Sequence, residues 1–241
     1  MFLGIIDIIK GNKLLISLLT VLFLIIFLLI MWAVAAKKGH LKPRKIAVIG
    51  IFTGLSVILY FLKFNLPFIF PSFLEINFSL LPIIIIGFMY GPLEGITIVF
   101  LRTIIKIPFT STFCVGEVAD LLIGTVVILA TSLIYLKNHN KKGALIALFI
   151  GIFTWIAAGV LTNYFINIPF YIELYFGGNV DAFLPLLSVI PNVTKENFML
   201  KYILFAVVPF NGLLSTIVCT VTMLVYKKIS SFVNKVQKEN N

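Results

Sequence analysis

Phe113-Cys-Val-Gly-Glu-Val-Ala-Asp-Leu-Leu-Ile-Gly124 carries two carboxylates, Glu117 and Asp120, at the head of an apolar run that continues to Leu136. The chain has only nine acidic residues in all, so two within one turn of such a run need a reason. An ionised acid at the centre of a bilayer costs about 2.5–3.5 kcal/mol on insertion scales. Residues three apart share a helix face, so both side chains look into the protein and away from lipid.

The rest of the composition agrees. Of 241 residues, 61% are hydrophobic and 12% charged, against about 45–50% and about 25% in a soluble domain. This is a polytopic membrane protein. Cys114 and Cys219 lie in or beside different apolar runs, without the spacing of a metal or disulfide framework, and read as small apolar residues. The net charge of +10 fits Lys- and Arg-rich cytoplasmic loops better than a nucleic-acid partner.

A membrane-crossing helix needs about 20 mostly apolar residues. Seven runs qualify or come close: Leu14–Ala36, Ile46–Leu62, Phe78–Tyr90, Pro92–Ile107, Val115–Leu136, Gly143–Phe170 and Tyr202–Tyr226. The third and fourth are short and divided by a Gly91-Pro92 breaker. Seven crossings place Lys37 to Lys45, Lys137 to Lys142 and the Lys227 to Lys238 tail on one side, the cytoplasm. The C-terminus is then cytoplasmic, and Lys10 and Lys13 are the discordant feature. The outer segments Asn65–Asn77, Pro108–Cys114 and Tyr171–Asn197 are rich in Pro, Phe, Tyr and Asn. Two readings stand for their aromatics: a lid over an outward-facing pocket, or an interfacial belt.

Other polar residues sit in apolar runs: Glu94, Arg102 and Lys106 in the fourth, Asn163 in the sixth and Asn211 in the seventh. All but Glu94 converge at one depth beneath the aromatic segments, as a small-molecule site in a helix bundle requires. The plainer reading is interhelical hydrogen bonding by the asparagines and a buried ion pair between Glu117 and Arg102. Gly50-x-x-x-Gly54 is a small-residue stripe that serves internal packing or docking of a membrane partner. No nucleophile elbow, zinc-protease helix or nucleotide-binding lysine loop occurs, so the chain is not an enzyme. An active transporter of this kind draws energy from a partner or an ion gradient. Glu117 and Asp120 would serve as the ion site of a secondary transporter in the second case; a ligand-free membrane scaffold is a third reading.

Five strings in order carry a resemblance: Leu74-Glu-Ile-Asn-Phe-Ser-Leu-Leu-Pro82, Gly87-Phe-Met-Tyr-Gly-Pro-Leu-Glu-Gly95, Gly116-Glu-Val-Ala-Asp-Leu-Leu-Ile-Gly124, Asn163-Tyr-Phe-Ile-Asn-Ile-Pro-Phe-Tyr171 and Pro209-Phe-Asn211. From Arg44 onward the chain resembles the substrate-binding S component of energy-coupling factor (ECF) transporters, of the riboflavin type. The resemblance implies an all-α, six-helix membrane bundle over 44–229, preceded by an additional transmembrane helix in 1–43 and followed by a polar tail, 230–241. It implies a multi-pass protein of the bacterial cell membrane that binds one vitamin, here riboflavin, with no cofactor of its own. It implies a transmembrane coupling subunit and two ABC-type ATPases as partners, ATP being used only by them. Ala47, Gly50 and Gly54 match the small residues that meet the coupling subunit. Asn163 and Asn211 match flavin-ring contacts, and Glu75, Asn77, Phe78, Arg102, Glu117, Asp120 and Tyr164 complete the implied site.

Three departures fall at or near that site. Leu214 stands where the family tends to have a lysine, Glu75-Ile-Asn-Phe-Ser-Leu80 where it tends to have Lys-Ile-Asp-Phe-Ser-Asp, and Glu117-Val-Ala-Asp120 where it tends to have Glu-Leu-Ala-Asn. They bear on the ligand and leave room for another heterocyclic vitamin.

Overall fold

The computed structural model describes residues 43–110 and 112–240 together with Ile26, with side chains as far as Tyr226. The Leu14–Ala36 run, Ile26 apart, and the 1–42 loop lysines lie outside the described residues. Helix α1 is Pro43–Phe61. A two-stranded ribbon of Phe64–Asn65 (β1) and Glu75–Ile76 (β2) follows. Then come α2, Leu80–Tyr90, α3, Pro92–Lys106, and α4, Val115–Lys137. Helix α5, Lys141–Thr162, runs through a π turn at Asn163–Asn167 into α6, Ile168–Phe176. After the short α7, Val180–Phe183, α8, Phe198–Tyr202, leads through a second π turn, Ile203–Val207, into α9, Val208–Asn240.

Four helical stretches among the described residues are long and apolar enough to cross a membrane: Pro43–Phe61, Val115–Lys137, Lys141–Phe176 and Phe198–Tyr226. The chain is a polytopic membrane helix bundle. Two spans outrun their expected limits: the sixth continues past Phe170 to Phe176, and the last helix runs on to Asn240, so no helix end marks a tail at 230.

The short pair α2 and α3 is a hairpin. Gly91 takes φ 106°, ψ −179°, backbone that only glycine adopts freely, and Pro92 begins α3 where its missing N–H costs nothing. The two helices then pack closely: a Cβ at Gly95 would meet Ile128 Cγ2 at 2.6 Å and Gly87 Cα at 3.6 Å. Helix α2 is apolar all round and buried, with Ile83, Ile84 and Ile86 fully enclosed, as a helix inside a bundle must be. On the outer helices Phe149 and Phe153 are 60% and 58% exposed, a surface suited to lipid.

Polar groups gather at both ends. At one end the buried pair Lys45–Glu94 (2.6 Å) lies beside Tyr90. Nearby, Tyr135 stacks on Phe88 and its hydroxyl lies 2.8 Å from that of Tyr226. Arg44, Lys137, Lys141 and Lys142 belong to this end by position. At the other end, Ser79 at the start of α2 meets Arg102 near the close of α3, and the chain builds a cavity there.

The hairpin packing generates a prediction. Gly95→Ala forces a methyl against the branched Ile128 side chain, and overpacking of this kind costs about 1–3 kcal/mol. Thermal unfolding in detergent is expected at a lower temperature for Gly95→Ala, with part of the loss recovered by adding Ile128→Ala. Equal stability of Gly95→Ala and the wild type would contradict this packing.

Candidate functional site

A cavity of about 430 Å³, lined by Ser79, Arg102 and Glu117 among others, opens at this end of the bundle, within the range of about 300–1,000 Å³ usual for small-ligand sites. Its lining joins two walls of different chemistry under an aromatic cover.

The first wall is built from α5, α9 and their π turns. Each π turn begins six residues before a proline: Asn163 before Pro169, Ile203 before Pro209. Proline lacks the N–H for its helical bond and crowds the carbonyl four residues back, here that of Phe165 and of Phe205. The widened turn relieves that crowding, and such turns recur at functional sites. Two asparagines are fixed in the same way beside them. Asn163 Nδ2 donates to Gly159 O and Asn211 Nδ2 to Val207 O, both at 2.8 Å. Asn163 Oδ1 is also engaged, accepting from the Tyr202 hydroxyl at 2.8 Å. Asn211 keeps its Oδ1 and second N–H for the cavity. Gly159 makes room for it, since a Cβ there would lie 2.7 Å from the Asn211 amide. Trp155 and Leu214 complete the wall.

The second wall is charged and comes from α3 and α4. Lys106 Nζ lies 3.2 Å from Glu117 Oε1 and 3.7 Å from Asp120 Oδ2, and 3.7 Å above the Tyr60 ring. Glu117 Oε2 accepts from the Thr110 and Thr112 hydroxyls at 2.8 and 3.0 Å, which ties down the turn between the helices. The Glu117–Arg102 ion pair of the plainer reading does not form; Lys106 takes that place. Arg102 lies one turn farther from the α3–α4 connection than Lys106, donates to Ser79 Oγ and faces Tyr60. Ser79 Oγ in turn donates to Asn77 Oδ1 at 2.6 Å.

The cover comes from the ribbon. Lys63 donates to both oxygens of Glu75 at 2.9 and 2.8 Å. Between the strands, Phe73 packs its ring against Tyr171, Phe183 and Tyr202, and Phe70 against Phe210. Phe68 points the other way, 95% exposed. The segment thus covers the cavity with some aromatics and offers one to the surroundings.

Of the expected site residues, Glu75, Asn77, Arg102, Glu117, Asp120, Asn163 and Asn211 line this cavity. Tyr164 and Phe78 do not. Tyr164 follows Asn163 by about 100° of helical turn and is 48% exposed beside Phe165. Phe78 turns its ring to Phe64. Sequence reasoning missed Gly159, Trp155, Tyr171 and Asn167, whose buried Oδ1 has no partner. The two prolines beside the π turns were the available signal for Asn167 and the Asn163 wall. Ala47, Gly50 and Gly54 share an exposed face of α1, with open space at both glycines.

The chemistry of this cavity is recognition. Amides, a neutralised set of charges and aromatic rings are present, and the Lys106 ammonium fills the place between Glu117 and Asp120 that a transported cation would take. A family described as the substrate-specific component of ECF transporters matches residues 44–226. The chain belongs to that family. It is a membrane transporter component and not an enzyme. It is 24% identical over 201 residues to the riboflavin transporter RibU of Staphylococcus aureus (strain TCH60), covering 83% of this chain and 97% of the relative. It is 24% identical over 198 residues to the riboflavin transporter FmnP of Bacillus subtilis (strain 168), covering 81% and 96%. A solved structure described as the S component of a bacterial ECF transporter aligns with TM-score 0.60 at 22% identity, over 79% of this chain and 98% of that one. That likeness gives the six-helix S-component fold.

The charged wall generates the second prediction. Removing one partner of a buried ion pair costs about 3–5 kcal/mol, because the other charge is left uncompensated. Lys106→Met is expected to lower the unfolding temperature in detergent sharply, and Lys106→Met with Glu117→Gln to restore part of it. A double variant no more stable than the single one would show that Lys106 does not hold Glu117.

Proposed function

We propose that this chain binds riboflavin in the cavity and hands it to the energy-coupling part of an ECF transporter. The observation that carries the ligand is the Asn211 amide. It is held over Gly159 with an acceptor and a donor left for the cavity, beside Trp155 and beneath Phe73 and Tyr171. A carboxamide that both donates and accepts suits the alternating edge of a flavin ring, and aromatic walls suit its faces. The two relatives named as riboflavin transporters support the same ligand.

In this reading Asn163 acts mainly by placing the wall, because Tyr202 and Gly159 already use its amide. Asp120, Arg102, Glu117, Glu75 and Asn77 form the opposite, polar side. Leu214 takes the place of a cation and leaves the flavin edge to the amides. The end bearing Arg44, Lys45, Lys137, Lys141 and Lys142 faces the cytoplasm, with the C-terminus on that side, so the cavity opens outward. Residues 44–229 form the S-component domain, with 1–43 an additional transmembrane segment and 230–241 a polar extension. The exposed face of Ala47, Gly50 and Gly54 meets a transmembrane coupling subunit, and two ABC-type ATPases supply the energy.

The test is a riboflavin titration of the purified chain, read by quenching of flavin fluorescence. The wild type is expected to saturate at one flavin per chain. Asn211→Ala is expected to weaken binding by about 1–3 kcal/mol, the cost of losing a buried polar partner, or about 5–150-fold. Wild-type protein that leaves riboflavin fluorescence unchanged would contradict the assignment.

A further inference from the structure

We propose that Asp120 sets the charge specificity of the cavity. Its carboxylate brings the inner wall to neutrality, so the site takes the uncharged, hydroxyl-bearing flavin and rejects its phosphate monoester, flavin mononucleotide. The inference rests on the flavin reading above.

The cavity lining holds three cationic side chains, Lys63, Arg102 and Lys106, and three carboxylates, Glu75, Glu117 and Asp120. Most of these charges are spent on each other. Lys63 and Glu75 close a two-oxygen pair at the ribbon. Arg102 is 3% exposed, donates to Ser79 Oγ and lies against Tyr60. Glu117 has Lys106 on one oxygen and two threonine hydroxyls on the other, with a side chain only 3% exposed.

Asp120 differs. Its nearest cation is Lys106 at 3.7 Å, beyond hydrogen-bond length, and its side chain is 35% exposed. It lies one helical turn along α4 from Glu117, on the same face, and lines the cavity. Of the inner-wall acids it is therefore the one a ligand meets. Arg102, Lys106, Glu117 and Asp120 together sum to zero; without Asp120 the wall carries one positive charge.

Two consequences follow for the ligand. A carboxylate only accepts hydrogen bonds, so Asp120 receives a ligand hydroxyl well. A phosphate brings negative charge and acceptor oxygens, so it offers Asp120 repulsion in place of a donor. Like charges brought together at a binding surface oppose association strongly. Once Asp120 is neutral, the residual positive wall of Arg102 and Lys106 attracts the same phosphate.

The test compares dissociation constants for riboflavin and flavin mononucleotide, measured by fluorescence quenching on the full chain in detergent. The wild type is expected to prefer riboflavin by about tenfold or more, and Asp120→Asn to lose about that much of the preference, the loss arising from tighter binding of flavin mononucleotide. Asp120→Ser, which removes the charge with a smaller side chain, is expected to behave as Asp120→Asn does. Asp120→Glu, which keeps the charge, is expected to keep the preference. A structural role for Asp120 would weaken both ligands alike and leave the ratio unmoved. An unchanged ratio in the neutral variants, or a wild type that binds both flavins equally, overturns the role of Asp120 while leaving the riboflavin assignment standing. A wild type that binds neither flavin overturns that assignment, and this inference with it.

Discussion

An ammonium group in the apolar interior of a membrane protein has to be compensated where it lies, because lipid offers it nothing. Lys106 is compensated by Glu117 and by the face of Tyr60, with Asp120 beyond. These contacts join three helices, α1, α3 and α4, at the floor of the cavity. Glu117 then passes the constraint on through Thr110 and Thr112 to the turn between α3 and α4. Fixing one charge thus fixes the helix ends that frame the site, and leaves one of the two acids on that wall, Asp120, open to what enters.

The opposite wall is organised by backbone chemistry. Pro169 and Pro209 each interrupt a helical ladder, and each interruption is absorbed as a π turn. The asparagines beside these turns bond back to the carbonyl four residues earlier, which orients both amides from within their own helices. Tyr202 then locks Asn163, and the bare Cα of Gly159 leaves Asn211 its place. Recognition groups are held before any ligand arrives, so little ordering cost remains for binding.

Much of this was legible in the sequence, for definite reasons. Apolar runs and the Gly91-Pro92 break fix the helices, because a bilayer tolerates few other arrangements. Glu117, Asp120, Asn163 and Asn211 stand out because polar groups in such runs are rare, and all four line the cavity. The partner of Glu117 was missed, although helix-hairpin geometry holds the answer. Residues at similar distances from a turn meet across it, as Gly87 and Gly95 do about Gly91, and Lys106 and Glu117, close to either end of the α3–α4 connection, meet across that one. Arg102 and Ser79, at nearly matched distances on either side of Gly91, bond to each other. Tyr164 and Phe78 lie off the cavity lining because adjacency in sequence is not adjacency on one face. The π turns were invisible to a reading that assumed regular helices, even though both prolines were in view. The roles of the 1–42 segment lie outside the described residues.

The central claim is that the ligand occupies the cavity between the amide wall and the charged wall. Trp155 lines that cavity, and the chain has only two tryptophans, so replacing Trp32 by Phe leaves one reporter. Riboflavin added to the purified Trp32→Phe protein is predicted to quench Trp155 emission in step with flavin binding and to stop at one equivalent per chain. Flavin binding that saturates while Trp155 emission stays constant would place the ligand elsewhere and contradict the account.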